Sequence, residues 1–192
     1  PAPEKTKCHF RWRQYMRNTA QWRDANGVWK DERHTFTAQT FSRAAEWLEG
    51  NRALHKQDFF LCIDHFDPHE PFDPPPPYDT LYTDGPPPQA RVRWPIYGQA
   101  ERYTQAELND IRALYAGKVT LVDKWFGHFM QRLEGLGLLE NTLVIVTTDH
   151  GHLFGEHGML GKPGSGHGDS TLYQPMAHIP LLVWHPDFKS QA

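Results

Sequence analysis

The chain has 192 residues, 39% of them hydrophobic and 13% aromatic, which is enough for a buried core, and its formal net charge is −3. That balance gives no general pull toward nucleic acid or anionic lipid, and no apolar run reaches the roughly 18 residues needed to span a bilayer. Two cysteines exclude a disulfide framework, while 16 prolines and 15 glycines assign much of the chain to loops.

From Lys5 to Arg33, eight Lys or Arg stand against three Asp or Glu, interleaved with Trp12, Tyr15, Trp22 and Trp29. Basic residues mixed with aromatics can stack on single-stranded nucleic acid, but no recognition motif accompanies them. Residues 1–36 therefore read as an irregular stretch whose tryptophans pack onto the body, and no nucleic-acid partner is expected. Pro1-Ala2-Pro3 brings neither an initiating Met nor a signal-peptide pattern, so the chain reads as a fragment.

Thr37 is expected to cap a helix carrying Phe41, Ala44, Ala45 and Leu48 on one face and ending near Gly50-Asn51. The apolar run from Asp58 to Asp64 predicts a strand covered on both faces. A Pro-rich connection over 66–103 follows; Phe72, Tyr78, Tyr82, Trp94 and Tyr97 predict that it is ordered and packs on the body. Thr104 and Glu107 form a capping box for a helix over 104–134, with Leu108, Ile111, Leu114, Tyr115, Val119, Val122, Trp125, Phe126, Phe129 and Leu133 along one face. Gly117 is expected to kink or divide it, and Gly135 or Gly137 to end it. Strands are predicted over 142–148 and 179–184, the second stopped by Pro186.

Strand, helix and strand in that order form a βαβ crossover, which predicts an α/β fold with a mainly parallel sheet flanked by helices. Parallel strands bring their carboxyl ends to one rim, so Asp67 and His69 should meet Asp149, His150 and Lys162 there. Asp149 and His150 offer two ligands to a divalent cation: the carboxylate suits a hard one, and the imidazole widens the choice to manganese or zinc. Neighbouring strand residues face opposite ways, so both reach one ion only where the chain leaves strand geometry, which Gly151 allows. The remaining ligands must come from elsewhere. His69 and Lys162 suit an oxyanion whose charge grows during displacement at sulfur or phosphorus. Alone, Lys162 would read as a surface lysine, and His69, between Pro68 and Pro71, reads equally as ligand-facing or structural. Glu156 and His157 read as loop-stabilising, and Asp64 and His65 as supports. No pattern singles out His152, His167, His178 or His185.

The turn Phe66-Asp67-Pro68-His69-Glu70-Pro71 and the block Thr148-Asp149-His150-Gly151 resemble, in order and spacing, the later catalytic-domain motifs of the sulfatase family in the alkaline phosphatase superfamily. Gly155-Glu156-His157-Gly158, Gly161-Lys162-Pro163 and Ile179-Pro180-Leu181-Leu182 after Tyr173 extend the likeness. The resemblance implies an alkaline-phosphatase-like fold, here incomplete, with Asp149 and His150 in a metal site and His69 and Lys162 as catalytic and substrate-binding residues on a sulfate-ester or phosphate-type group. It implies calcium as the metal, with manganese or zinc in the related phosphonate monoester hydrolases and phosphodiesterases. It also implies a formylglycine nucleophile, made from the Cys of a Cys-x-Pro-x-Arg or Cys-x-Ala-x-Arg sequence. Cys8 and Cys62 do not stand in such a sequence. The chain is thus identified as a middle-to-late segment, residues 1–192, of one sulfatase-like catalytic domain that needs upstream polypeptide to complete its site. Two rival readings stand beside sulfate-ester hydrolysis: a phosphonate monoesterase or phosphodiesterase, and a noncatalytic metal-binding module.

Overall fold

The computed structural model describes residues 31–51, 59–88, 90–162 and 172–188. The basic aromatic stretch through Lys30, with Cys8, and the segment containing His167 lie outside them.

Helix α1 spans Phe36–Gly50 and ends with Asn51 as its C-cap. Its N-cap is Thr35 and not Thr37: the Thr35 hydroxyl accepts from the Ala38 N–H at 3.2 Å. Thr37 is buried in the first turn, where its hydroxyl donates to the Asp67 carboxylate. Two threonines in reach of the same helix start could each cap it, and the tertiary bond to Asp67 decides between them.

Helix α2 spans Gln105–Gly135, opened by the expected capping box of Thr104 and Glu107. It runs unbroken through Gly117. A Cβ there would lie 2.1 Å from the Tyr78 carbonyl oxygen, so the glycine admits the Pro-rich connection against the helix rather than kinking it. The buried stripe also differs from the predicted one, because Val119 is 42% exposed and Lys118 is buried in its stead. Phe129 and Leu133 at the C-terminal end of α2 pack on Phe41, Ala45 and Leu48 of α1. Leu108, Ile111 and Leu114 at the other end enclose Phe72, Ala100 and Leu160. Each of these buried Leu, Ile and Phe side chains contributes about 1.5–3 kcal/mol by leaving water. Phe72, Tyr78 and Pro95 of the connection are likewise buried, so it is an ordered, packed segment, although Tyr82 is half exposed.

Strand β1 is Gly98–Gln99, β2 is Val144–Thr147, β3 is Leu153–Phe154, β4 is Met159–Gly161 and β5 is Leu181–Trp184. A short helix, α3, spans Gln174–Ala177. β1, β4 and β3 form one sheet in that order, and β2 pairs with β5 in another. The expected mixture of helices and strands is present, but every pairing among the described residues is antiparallel. The expected parallel pairing of 58–64 with 142–148 is corrected accordingly. Residues 59–64 join no ladder among the described residues. Phe59, Leu61 and Ile63 nevertheless turn toward the α1–α2 core while Phe60 is 91% exposed, so the alternation of an extended segment survives without a described partner. The partner that β2 does take, β5, lies downstream, where an apolar run alone gives no hint of direction.

Candidate active site

The three-stranded sheet brings the polar groups together by its register. Gly98 stands opposite Leu160, and Leu153 opposite Gly161. Tyr97, His152 and Lys162, each one residue beyond a strand end, therefore converge at one edge. Gly161 is needed for this: its φ of +93° suits glycine, and a Cβ would lie 2.2 Å from the Tyr97 ring. The Lys162 ammonium sits 6.0 Å from the centre of that ring.

Against this edge lies the turn holding His69, whose N–H donates to the Phe66 carbonyl at 3.1 Å. The turn is anchored from behind by Lys118. This lysine is 4% exposed, donates to the carbonyls of His69 at 2.8 Å and Pro71 at 2.9 Å, and forms an ion pair with Asp67. Burial pushes the Asp67 carboxyl up, but Lys118 and the Thr37 hydroxyl outweigh it and hold the group below its ordinary range. From the front, Lys162 Nζ meets His69 Nε2 at 2.7 Å. Burial lowers the Lys162 pKa, while the charges of Glu70 and Asp149 pull it back up. The exposed ring of Phe66 stacks on His69, with centroids 4.3 Å apart.

Asp149 and His150 follow the end of β2, outside strand geometry, and Asp149 is 82% exposed. Asp149 Oδ1 accepts from the His150 N–H at 3.0 Å. His150 Nδ1 lies 2.8 Å from the Gly151 carbonyl, an acceptor, so in the neutral ring Nδ1 carries the proton and Nε2 a lone pair. That Nε2 is 3.4 Å from Asp149 Oδ2. The arrangement presents two converging electron-pair donors, a fit to part of a cation's coordination shell. Among the described residues, no group of three His, Cys, Asp or Glu side chains could hold a metal. Gly151 has a role different from the expected one. Its N–H donates to the Met176 carbonyl at 2.9 Å, and a Cβ would lie 1.8 Å from the Pro175 carbonyl oxygen, so it docks the Asp149-His150 loop against α3.

Sequence reasoning passed over Glu70, His152 and Lys118. His152 lies 82 residues from Glu70, whose carboxylate it meets at 2.9 Å, and no spacing rule could link them. Glu156 accepts from the Phe154 N–H at 2.5 Å and pairs with Arg112, and His157 stacks on Tyr173 with centroids 3.7 Å apart, so both make loop contacts. His65 stacks on Phe41 and reaches the Asp67 carbonyl at 3.0 Å. Among the described residues, no helix is long and apolar enough to cross a membrane.

Comparison with known proteins places the chain in a family. Arylsulfatase K of Canis lupus familiaris is 37% identical over 89 residues, covering 46% of this chain and 15% of the relative. The multifunctional alkaline phosphatase superfamily protein PehA of Trinickia caryophylli is 29% identical over 157 residues, covering 67% of this chain and 30% of its own length. The crystal structure of the phosphonate monoester hydrolase of Agrobacterium radiobacter superposes with a TM-score of 0.66 at 27% identity, covering 96% of this chain and 42% of that one. The chain thus spans well under half the length of these relatives. A family model described as Sulfatase matches residues 5–192, nearly the whole sequence, and the chain belongs to the sulfatase family.

Proposed function

We propose that this chain is the middle-to-late segment of a catalytic domain that hydrolyses sulfate esters with a divalent metal, calcium in the first instance. The observation that carries the reading is the convergence of His69 and Lys162 at 2.7 Å, on a rim where the charge of Asp149 is felt by Lys162. A Lys–His pair sharing one positive charge suits the oxygens of a sulfate group. Asp149 Oδ2 and His150 Nε2 would hold the metal, which when bound supplies positive charge to the ester oxygens. His69 and Lys162 orient the anion and oppose the negative charge that grows as the ester bond breaks. The remaining ligands and the nucleophile, a formylglycine by family resemblance, belong to polypeptide upstream of these residues. A supporting feature is the β2–β5 pair, where Ile145, Leu181, Leu182 and Val183 are all exposed, as expected of strands that other polypeptide covers.

The likeness to a phosphonate monoester hydrolase favours a second reading, in which the same groups bind a phosphonate or phosphate ester. The two are separated by assaying the full-length protein on matched aryl sulfate, phosphonate and phosphodiester substrates. Asp149→Ala should lower both metal content and rate, and Lys162→Ala should lower the rate with metal retained. Unchanged metal content in the Asp149 variant would overturn the metal assignment. Residues 1–192 alone should show little or no turnover, and robust hydrolysis by them would refute the fragment reading. A full-length protein that folds, binds metal and turns over none of these esters would establish the noncatalytic module instead.

A further inference from the structure

Glu70 is 1% exposed and sits between two imidazoles: Oε1 is 2.9 Å from His152 Nε2, and Oε2 is 2.8 Å from His69 Nδ1. Tyr97 also helps to lower the same carboxyl. A carboxylate in a packed interior persists only where donors replace water. Burial pushes the Glu70 carboxyl up, yet His152, His69 and Tyr97 beside it outweigh burial and keep the group ionised.

The consequence falls on His69. Its Nδ1 hydrogen-bonds the Glu70 backbone carbonyl at 3.0 Å, an acceptor with no proton to give, so Nδ1 carries one; the charge of Glu70 Oε2, an oxygen that makes no hydrogen bond, stands 2.8 Å from the same nitrogen. A second proton on Nε2 would set a cationic ring against the Lys162 ammonium 2.7 Å away, which like-charge repulsion disfavours. Nε2 therefore holds a lone pair and accepts from Lys162.

We propose that Glu70 is a positioning residue for the anion site, the charge of its carboxylate beside Nδ1 being what holds His69 in the Nδ1–H tautomer, beyond the pull of the backbone carbonyl alone, so that Nε2 is kept for Lys162. One proton then lies between Nζ and Nε2, and either nitrogen can present it to an anionic oxygen. A merely structural buried side chain would fill the space without setting the ring's tautomer. Glutamine keeps the shape of the side chain and removes the negative charge beside Nδ1. The functional meaning rests on the anion-binding reading of His69 and Lys162, whereas the tautomer itself does not depend on which ester is cleaved.

The test is long-range 1H–15N correlation on the full-length protein labelled with 15N-histidine, with His69 identified by the signals lost in His69→Gln. Wild type should show one set of His69 signals, a protonated pyrrole-type Nδ1 and a bare pyridine-type Nε2. Glu70→Gln should replace that set with tautomer-averaged signals. Should Glu70→Gln fail to fold, Glu70→Asp, which withdraws the charge by one methylene, should average the same signals. A wild-type proton on Nε2, or an unchanged Nδ1–H pattern in either folded variant, would overturn the proposal. Absence of ester hydrolysis would leave these signals standing, so the two readings can fail separately.

Discussion

Lys118→Met keeps a side chain of similar length and removes only the ammonium. The site of that loss is confined: Lys118 contacts Asp67, donates to the carbonyls of His69 and Pro71 at 2.8 and 2.9 Å, and lies 3.9 Å from Asp73. Removing the cation strands the part-buried Asp67 carboxylate beside two carbonyls that lose their donor. Breaking a buried pair from one side costs about 3–5 kcal/mol. At a urea dependence of about 3 kcal/mol per molar, the unfolding midpoint of the full-length protein should fall by about 1–1.7 M. Adding Asp67→Asn to the same background removes the orphaned charge and should recover at least about 1 kcal/mol, a coupling expected only of residues in contact. Tryptophan fluorescence against urea reads both. A loss below about 1 kcal/mol in Lys118→Met, or a double variant no more stable than the single one, would refute the view that this lysine anchors the His69 turn.

Asp73 gives a prediction in pH. Burial pushes its carboxyl from 3.8 up to about 6, with Asp67 adding to the rise and Lys118 and Arg93 opposing it. The folded state therefore binds more protons than the unfolded one between these values, and stability falls as pH rises through that window. Asp73→Asn should stabilise the protein by up to about 3 kcal/mol near pH 8 and by little near pH 4; a gain that does not change with pH would contradict the assignment. Gly117→Ala reverses the usual rule: helix propensity alone would add about 1 kcal/mol, but overlap with the Tyr78 carbonyl should make the variant less stable by about 1–3 kcal/mol. A raised urea midpoint would show that the connection does not press on α2 there.

What the sequence made legible follows from the range of the interactions. The 105–135 helix and its capping box depend on residues three or four apart, and they stand where the pattern puts them. β2 and β5 are readable as apolar runs, but their antiparallel partnership joins Val144 to Trp184 across forty positions and leaves no periodic trace. The sheet of β1, β4 and β3 is less legible still, because strands of two or three residues with glycine at Gly98 and Gly161 carry no alternation. His69 and Lys162 were expected to meet because of a parallel βαβ unit. They do meet, yet an antiparallel sheet edge brings them together. The expected helix face also failed at Val119 and Lys118, since a buried lysine is unreadable until Asp67 and the turn carbonyls are known to surround it.

The two lysines on either side of the His69 turn show how environment assigns a role. Lys118 faces Asp67 in direct contact, Asp73 at 3.9 Å and two carbonyls, so its positive charge is discharged inside the protein and serves to hold backbone. Lys162 meets His69 Nε2 at 2.7 Å, a neutral acceptor in the Nδ1–H tautomer. Burial disfavours the Lys162 cation, while the charges of Glu70 and Asp149 favour it. On the proposed reading, an entering anion would offset the cost of burying that cation. Glu70 sharpens the distinction. Its charge acts on Lys162 through the intervening imidazole, close enough to keep the site from repelling its own lysine, while His152 and Tyr97 hold the carboxylate on the far side of the ring.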